Sequence, residues 1–270
     1  MSEEILFETD QQGIATLQIN RPQARNALNW ETQKQFAQIV TAVARDPAIR
    51  VLIITGTGDK AFVSGGDLKE LSQHPDTAAG ERLNRVMSVA LHQLTQLPIP
   101  VIAAVNGDAF GGGCEILTAC DLRLAAAHAR FSFAQVRNAL TTGWGGTGRL
   151  VRLVGQSRAM ELLLTGRLFS AAEAQTIGLI HRLVPIGQDV LPVAREWATE
   201  LVALPRQALA ANKALVHAAA NRTLAELSQY ETELFTYLWA QPDHLEAMKA
   251  FVEKRAPSFN MTDTATTDMD

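Results

Sequence analysis

The stretch Ile102-Ala-Ala-Val-Asn-Gly-Asp-Ala-Phe-Gly-Gly-Gly-Cys-Glu115 decides the fold of this chain. Its first four residues are apolar and predict a buried strand, and the glycine run predicts a loop that opens a helix near Cys114. Glycine leaves backbone N–H groups unshielded, and the start of a helix is the positive end of its dipole. Such a loop is suited to hold an anion, and a tight turn without chemical importance is the alternative.

A second glycine-rich loop, Ala61-Phe-Val-Ser-Gly-Gly-Asp-Leu68, follows the apolar strand predicted at 51–55. Neither loop fits the GxGxxG or the GxxxxGK[ST] pattern, so the sequence does not specifically indicate a nucleotide phosphate site. Two loops that each follow a buried strand indicate more together than either does alone, because both present backbone donors at strand ends.

Strand and helix signals alternate on both sides of these loops, which predicts an α/β fold. The other predicted elements are a strand at 14–19, a helix capped by Asn29, a helix at 80–97, strands at 130–133 and 180–184, and helices at 149–165 and 170–176. Ser170-x-x-Glu173 is a capping-box pattern that supports the last of these helices.

From Leu204 onward the strand signals stop and three helical stretches follow. Thr223-x-x-Glu226 and Asp243-x-x-Glu246 are read as helix starts, and Pro242 and Pro257 as stops. The apolar residues of this module exceed what three short helices bury among themselves. They are Leu215, Val216, Leu227, Leu234, Phe235, Leu238, Trp239 and Phe251. An oligomer surface and packing onto the α/β body are both open at this point.

Composition excludes several classes of protein. The chain has 270 residues, 47% of them hydrophobic, and a net charge of −4 without basic clusters, which does not indicate nucleic-acid binding. Its two cysteines, Cys114 and Cys120, form no disulfide framework or zinc pattern, as expected of a cytoplasmic protein. No apolar run is long enough to predict a membrane span. The small, polar and acidic end at 259–270 predicts a flexible tail.

The chain resembles the crotonase (enoyl-CoA hydratase/isomerase) superfamily along nearly its whole length. The matching segments are 21–28, 64–68, 102–107, 111–115, Asp121, 145–147, 164–167 and 250–255, in the family's order and spacing. The resemblance implies an α/β core at 1–203, built as a crotonase-like spiral of strand-strand-helix repeats. It further implies a helical trimerisation region at 204–258 and a homotrimer or a dimer of trimers.

The same resemblance implies the residues of the site. The N–H groups of Gly66 and Gly112 would form an oxyanion hole for a thioester enolate, and Glu115, Gln135 and Gly143 would be the other catalytic residues. The residues expected at coenzyme A and the acyl group are Ala24, Arg25, Ser64, Gly65, Asp67, Leu68, Trp144, Phe251 and Lys254. The acyl-CoA is the substrate, and no metal, separate cofactor, nucleic acid or membrane is expected to bind.

Gln135 is where the chain departs from the hydratases of this family, which have a second glutamate twenty residues after the one matched by Glu115. An amide forms hydrogen bonds but does not transfer protons near neutral pH. Hydration of an enoyl-CoA with Glu115 as the single acid/base is the leading hypothesis. The alternatives are decarboxylation of a malonyl-type acyl-CoA, isomerisation, and binding of acyl-CoA or RNA with little catalysis. The negative net charge of the chain argues against RNA.

Overall fold

Ten strands pair into two sheets within residues 3–259, the part of the chain that the computed structural model describes. They are β1 Ile5–Thr9, β2 Ile14–Ile19, β3 Val51–Gly56, β4 Ala61–Val63, β5 Val101–Val105, β6 Asp108–Phe110, β7 Leu122–Ala126, β8 Arg130–Ser132, β9 Phe169–Ser170 and β10 Arg182–Val184.

Eleven α-helices connect and cover these strands in the described residues. They are α1 Trp30–Arg45, α2 Leu68–Leu71, α3 Thr77–Gln96, α4 Gly112–Thr118, α5 Gly146–Val154, α6 Gln156–Thr165, α7 Ala171–Thr176, α8 Val190–Val202, α9 Arg206–Ala219, α10 Leu224–Trp239 and α11 Pro242–Glu253. Two short 3-10 helices cover Pro22–Ala24 and Ala134–Asn138.

The chain winds as a spiral, which confirms the predicted fold class. The first sheet has the order β1-β2-β3-β5-β7-β10 and is parallel except for β1, and the second has the order β4-β6-β8-β9. Each of the strand pairs β3/β4, β5/β6 and β7/β8 therefore contributes one strand to each sheet before a helix follows. The fully buried strands β3 and β5 form the centre of the hydrophobic core.

Both predicted glycine loops contain a short strand, β4 in the first and β6 in the second, which local sequence did not indicate. These strands pair with each other in parallel. Pairing satisfies backbone groups that burial would otherwise leave without hydrogen bonds. The two glycine segments are thereby tied side by side.

Several predicted boundaries were wrong. The helix predicted at 149–165 is two helices separated at Gly155, and Pro242 begins α11 at its first turn instead of ending a helix, so Gln241 and not Asp243 is its N-cap. Ser170 caps α7 by accepting a hydrogen bond from the N–H of Glu173, without the return bond of a capping box. Sequence reasoning missed β1 and α8.

Two buried asparagines fasten the turn after β3. Asn26, at φ +55°, donates to the carbonyl of Ala61 over 2.7 Å, and Asn106 donates to the carbonyl of Gly58 over 2.7 Å and accepts from the N–H of Gly56. Asparagine tolerates this left-handed backbone better than most residues. Asn26 thereby holds the segment at 21–28 against the first glycine loop, and Asn106 holds the second loop against the turn after β3.

Helix α9 connects the C-terminal helices to the core through a lysine. Lys213 on α9 forms an ion pair with Asp121 over 2.7 Å and donates to the carbonyl of Ile99. No residue of α10 is buried, and Ala250 is the buried residue of α11. The domain division at 203/204 stays a prediction, and the predicted tail lies outside the described residues except for Phe259.

Candidate active site

Glu115 lies in the first turn of α4 and is 2% exposed. Its Oε1 accepts hydrogen bonds from the Gln135 side-chain amide at 2.9 Å and the Gly143 N–H at 3.2 Å. Its Oε2 accepts from the N–H groups of Trp144 at 2.7 Å and Gly146 at 2.8 Å. Four N–H donors therefore hold one buried carboxylate in a single place.

Gln135 is placed by the 3-10 helix Ala134–Asn138, and its amide contacts Glu115 directly. The amide orientation is fixed by chemistry, because the reverse orientation would put two acceptor oxygens together. Its Oε1 is buried and has no hydrogen-bond partner among the described residues. An unpaired buried acceptor costs about 1–3 kcal/mol, so this oxygen is suited to accept a hydrogen bond from water or a ligand.

The two glycine loops meet next to this carboxylate. A Cβ placed on Gly65 would lie 3.1 Å from the backbone nitrogen of Gly112. Leu28 donates to the carbonyl of Gly65 and accepts from the N–H of Asp67, so the intervening Gly66 N–H points away from this bridge. Gly112 is the first residue of α4, where the N–H has no partner within the helix. Two backbone donors on neighbouring loops are what an oxyanion hole requires.

Trp144 packs between these groups and is 4% exposed. Its six-membered ring lies against Gly112, since a Cβ on that glycine would be 2.1 Å from Cζ3 of the indole. The indole is part of the hydrophobic core, while the Trp144 N–H contacts Glu115. Trp144 is therefore a core residue that borders Glu115, and its role at the acyl group stays a prediction.

Cys114 precedes Glu115 but takes no part in the site chemistry. It is fully buried, and its thiol donates to the carbonyl of Ala109 over 3.0 Å. Burial, with the charge of Glu115 as a smaller contribution, raises the pKa of Cys114 well above its usual range. Since the thiolate is the nucleophilic form, Cys114 is a packing residue.

The comparison with protein families agrees with this geometry. Residues 9–262 match the model of a family described as enoyl-CoA hydratase/isomerase. The chain belongs to this family.

Individual relatives cover almost the whole chain. A protein of Mycobacterium tuberculosis named as a probable enoyl-CoA hydratase is 41% identical over 95% of this chain and 98% of its own. A crotonyl-CoA hydratase of Syntrophomonas wolfei is 38% identical over 95% of this chain and 98% of its own. The crystal structure of an enoyl-CoA hydratase from Bacillus anthracis superimposes with a TM-score of 0.91 at 33% identity, covering 96% of this chain and all of that one.

The residues expected at coenzyme A fall into two groups. Ala24, Arg25, Ser64, Gly65, Asp67 and Leu68 lie on adjoining segments joined through Leu28. Asp67 caps α2 and accepts from Arg21 over 2.9 Å. Arg25, 54% exposed in its side chain, is ion-paired with Asp108 over 3.1 Å, and within residues 3–259 its other guanidinium donors have no hydrogen-bond partner.

Phe251 and Lys254 form the second group, at the end of α11. Phe251 is 85% exposed, and Lys254 ends the helix with a left-handed backbone at φ +54°. The roles of both groups stay predictions. No helix within residues 3–259 combines the length and apolar character needed to cross a membrane.

Sequence reasoning missed two residues that lie beside Glu115 at the start of α5. Gly146, inside the matched segment 145–147, donates to Glu115, and Arg149 lies one turn further along α5. Arg149 donates to the carbonyl of Trp144 over 2.7 Å. The glycine pair was a signal in the sequence, but a partly buried arginine cannot be told from a surface arginine without the structure.

Proposed function

We propose that the protein is a hydro-lyase that adds water to a short 2-enoyl-CoA, with Glu115 as its single acid/base. The observation that carries the proposal is the buried Glu115 carboxylate beside an amide acceptor and two adjoining glycine donors. Trp144 supports a short acyl group, because its indole fills space next to Gly112.

The thioester carbonyl would accept hydrogen bonds from the N–H groups of Gly66 and Gly112. Addition of water to C3 pushes the double-bond electrons toward this oxygen, so negative charge grows there in the transition state. Donors already aimed at that position stabilise the charge without reorganising, at about 3 kcal/mol for each donor.

Water would lie between Glu115 and the free Oε1 of Gln135. The water proton goes to Glu115, the oxygen bonds to C3, and the same carboxyl then returns the proton to C2 of the enolate. Four N–H donors fill the four lone-pair sites of the carboxylate, so one of these hydrogen bonds must break before Glu115 takes up a proton. We expect the hydrogen bond from the Gly143 N–H to break, since it is the longest of the four.

Decarboxylation of a malonyl-type acyl-CoA is a second candidate, favoured by the same saturation of Glu115 and by the amide at Gln135. Loss of CO₂ leaves its electron pair on Cα and forms the enolate without a base. This reaction requires the glycine donors and a proton source but no proton uptake by Glu115.

Glu115→Gln tests the proposal and separates the two candidates. Hydration of crotonyl-CoA should fall at least about 100-fold, the lower end of what general acid–base catalysis supplies, while affinity for acetyl-CoA stays within a few fold. Circular dichroism and thermal melting control for folding, because the new amide N–H₂ would face N–H donors. Unchanged hydration would refute the single-base mechanism, and retained malonyl-CoA decarboxylation would favour the second candidate.

We also infer a homotrimer or a dimer of trimers that binds acyl-CoA as its small-molecule partner, in the cytoplasm, without a metal or an additional cofactor. The exposed apolar residues of α10 and α11 support the oligomer. The contribution of Phe251 and Lys254 to coenzyme A binding belongs to the same proposal.

A further inference from the structure

Arg149 lies behind Glu115, on the side of the carboxylate formed by the loop at 143–146. Its Nη2 donates to the carbonyl of Trp144 at 2.7 Å and to the backbone carbonyl of Glu115 at 3.3 Å. Its Nε lies 3.4 Å from the hydroxyl of Thr118 on α4. The guanidinium thereby bridges α4 to the loop that carries three of the four donors to Glu115.

The position of the bridge matters for those donors. Trp144 and Gly146 both donate to Oε2 of Glu115, and the carbonyl that Arg149 holds lies between their two N–H groups along the chain. Fixing that carbonyl fixes the peptide plane of Trp144 and Gly145, which lies between the two peptide units that carry these donors. Gly145, at φ +82°, permits the approach, since a Cβ there would lie 2.9 Å from Nη1 of Arg149.

Arg149 forms no ion pair with a carboxylate among the described residues, although it is partly buried. Enclosing a charge without a partner is costly. Burial lowers the pKa of the Arg149 guanidinium, and the nearby charge of Glu115 acts in the opposite direction. Packing alone does not account for a cation here, because an apolar side chain of similar length would fill the space without that cost.

We propose that Arg149 is a positioning residue that aligns the Trp144 and Gly146 donors on Glu115 and places its positive charge toward that carboxylate. This inference rests on the proposed function for its kinetic test, while its structural test does not depend on turnover.

The test compares Arg149→Met, which keeps length and removes the donors, with Arg152→Met on the same helix. Arg152 is exposed and bonds to Asn221 at the surface, so it is the matched control. Arg149→Met should lower kcat for crotonyl-CoA hydration about 10- to 100-fold with KM within about threefold, since the lost contact acts on the transition state. Arg149→Lys should retain an intermediate rate. Arg152→Met should leave both constants unchanged.

A double variant distinguishes positioning from general stabilisation. In the Glu115→Gln background, Arg149→Met should lower kcat by less than about twofold more, because the effects of substituting residues that act as a unit do not add. Full additivity, or a rise in KM with kcat unchanged, would overturn the inference.

Amide hydrogen exchange gives a result even without turnover. The peptide covering 142–147 should exchange faster in Arg149→Met, and in Arg149→Lys if the methionine variant does not fold, than in Arg152→Met. Equal protection in the variants and the control overturns the inference alone. A folded wild type that hydrates no enoyl-CoA overturns the proposed function and leaves the exchange result to decide the role of Arg149.

Discussion

At the scale of single residues, the contact between Gln135 and Glu115 sets the chemistry that this site supports. The amide donates directly to the carboxylate over 2.9 Å and leaves a buried acceptor oxygen beside it. A glutamate at the same place would bring a second group able to transfer protons. In the proposed mechanism Gln135 therefore acts only through hydrogen bonds.

Gln135→Glu should raise the rate of crotonyl-CoA hydration. General acid–base assistance is worth about 100- to 10,000-fold with suitable geometry, and we expect the low end because the site has adapted to the amide. Two carboxylates this close repel each other, so the pH–rate profile should show a second apparent pKa that is coupled to the first. Steady-state kinetics from pH 5 to 9 measure both effects. A lower rate, or a wild type as fast as two-glutamate hydratases, would contradict the role assigned to Gln135.

Gly112→Ala should destabilise the protein because the new Cβ would lie 2.1 Å from the ring of Trp144. Overpacking of this kind costs about 1–3 kcal/mol. In a Trp144→Ala background the same change should cost much less, since the ring is gone. Urea unfolding of the single and double variants measures this coupling. Gly148→Ala is the control, because a Cβ there meets nothing within 4 Å in α5, and equal costs for Gly112→Ala in both backgrounds would contradict the contact.

At the scale of elements, α4 is the part of the fold on which the site depends. All of its residues, Gly112–Thr118, are buried, and Cys120 follows two residues later in the core. The helix packs against β4, β6 and α5. Because it is enclosed by these elements, its Cys114 thiol reacts with a reagent in solvent only when the surrounding structure opens.

Cys114 and Cys120 should resist alkylation by iodoacetamide in the folded protein at pH 8. Burial, with Asp121 as a smaller contribution, raises the pKa of Cys120 to about 12, so the thiol stays protonated. Mass spectrometry should show no labelling of folded protein and two labels in urea, which serves as the control. Stoichiometric labelling of the folded protein would contradict the buried position of α4.

The same thiols predict how stability depends on alkaline pH. A pKa raised on folding from 9.0 to about 12 means that the folded state holds a proton that the unfolded chain releases. The contribution of the protonated thiol to the free energy of unfolding is fully present below pH 9 and is lost as the pH rises toward 12. Thermal melts of the wild type should fall over this range more steeply than those of Cys120→Ala, and identical slopes would contradict the shift.

At the scale of the whole molecule, the C-terminal helices leave large apolar side chains exposed. Phe235, Trp239 and Phe251 are 62%, 53% and 85% exposed, and α10 buries no residue. Large exposed apolar patches mark interaction surfaces. A second copy of the chain is the occupant that the proposed function expects for this surface.

Light scattering should therefore give a mass of about three or six times the 29.3 kDa of one chain. Phe235→Ser should shift the population toward the monomer, because it removes apolar area from the contact. Val89→Ser is the matched control, since Val89 is 61% exposed on α3, outside the C-terminal helices. A wild-type mass of 29.3 kDa, or an equal effect of both variants, would contradict the oligomer surface.

The sequence by itself determined the α/β class and the two glycine loops, because glycine runs and apolar periodicity act over short distances along the chain. The candidacy of Glu115 and Gln135 came from the resemblance to the crotonase superfamily. Only the tertiary structure decided what surrounds Glu115. Its donors Gly143, Trp144 and Gly146 lie 28, 29 and 31 residues away in sequence, and nothing local in those residues specifies that their N–H groups converge on one carboxylate. The parallel pairing of β4 with β6 and the contacts of Arg149 with α4 are decided in the same way, since both depend on how separate segments pack.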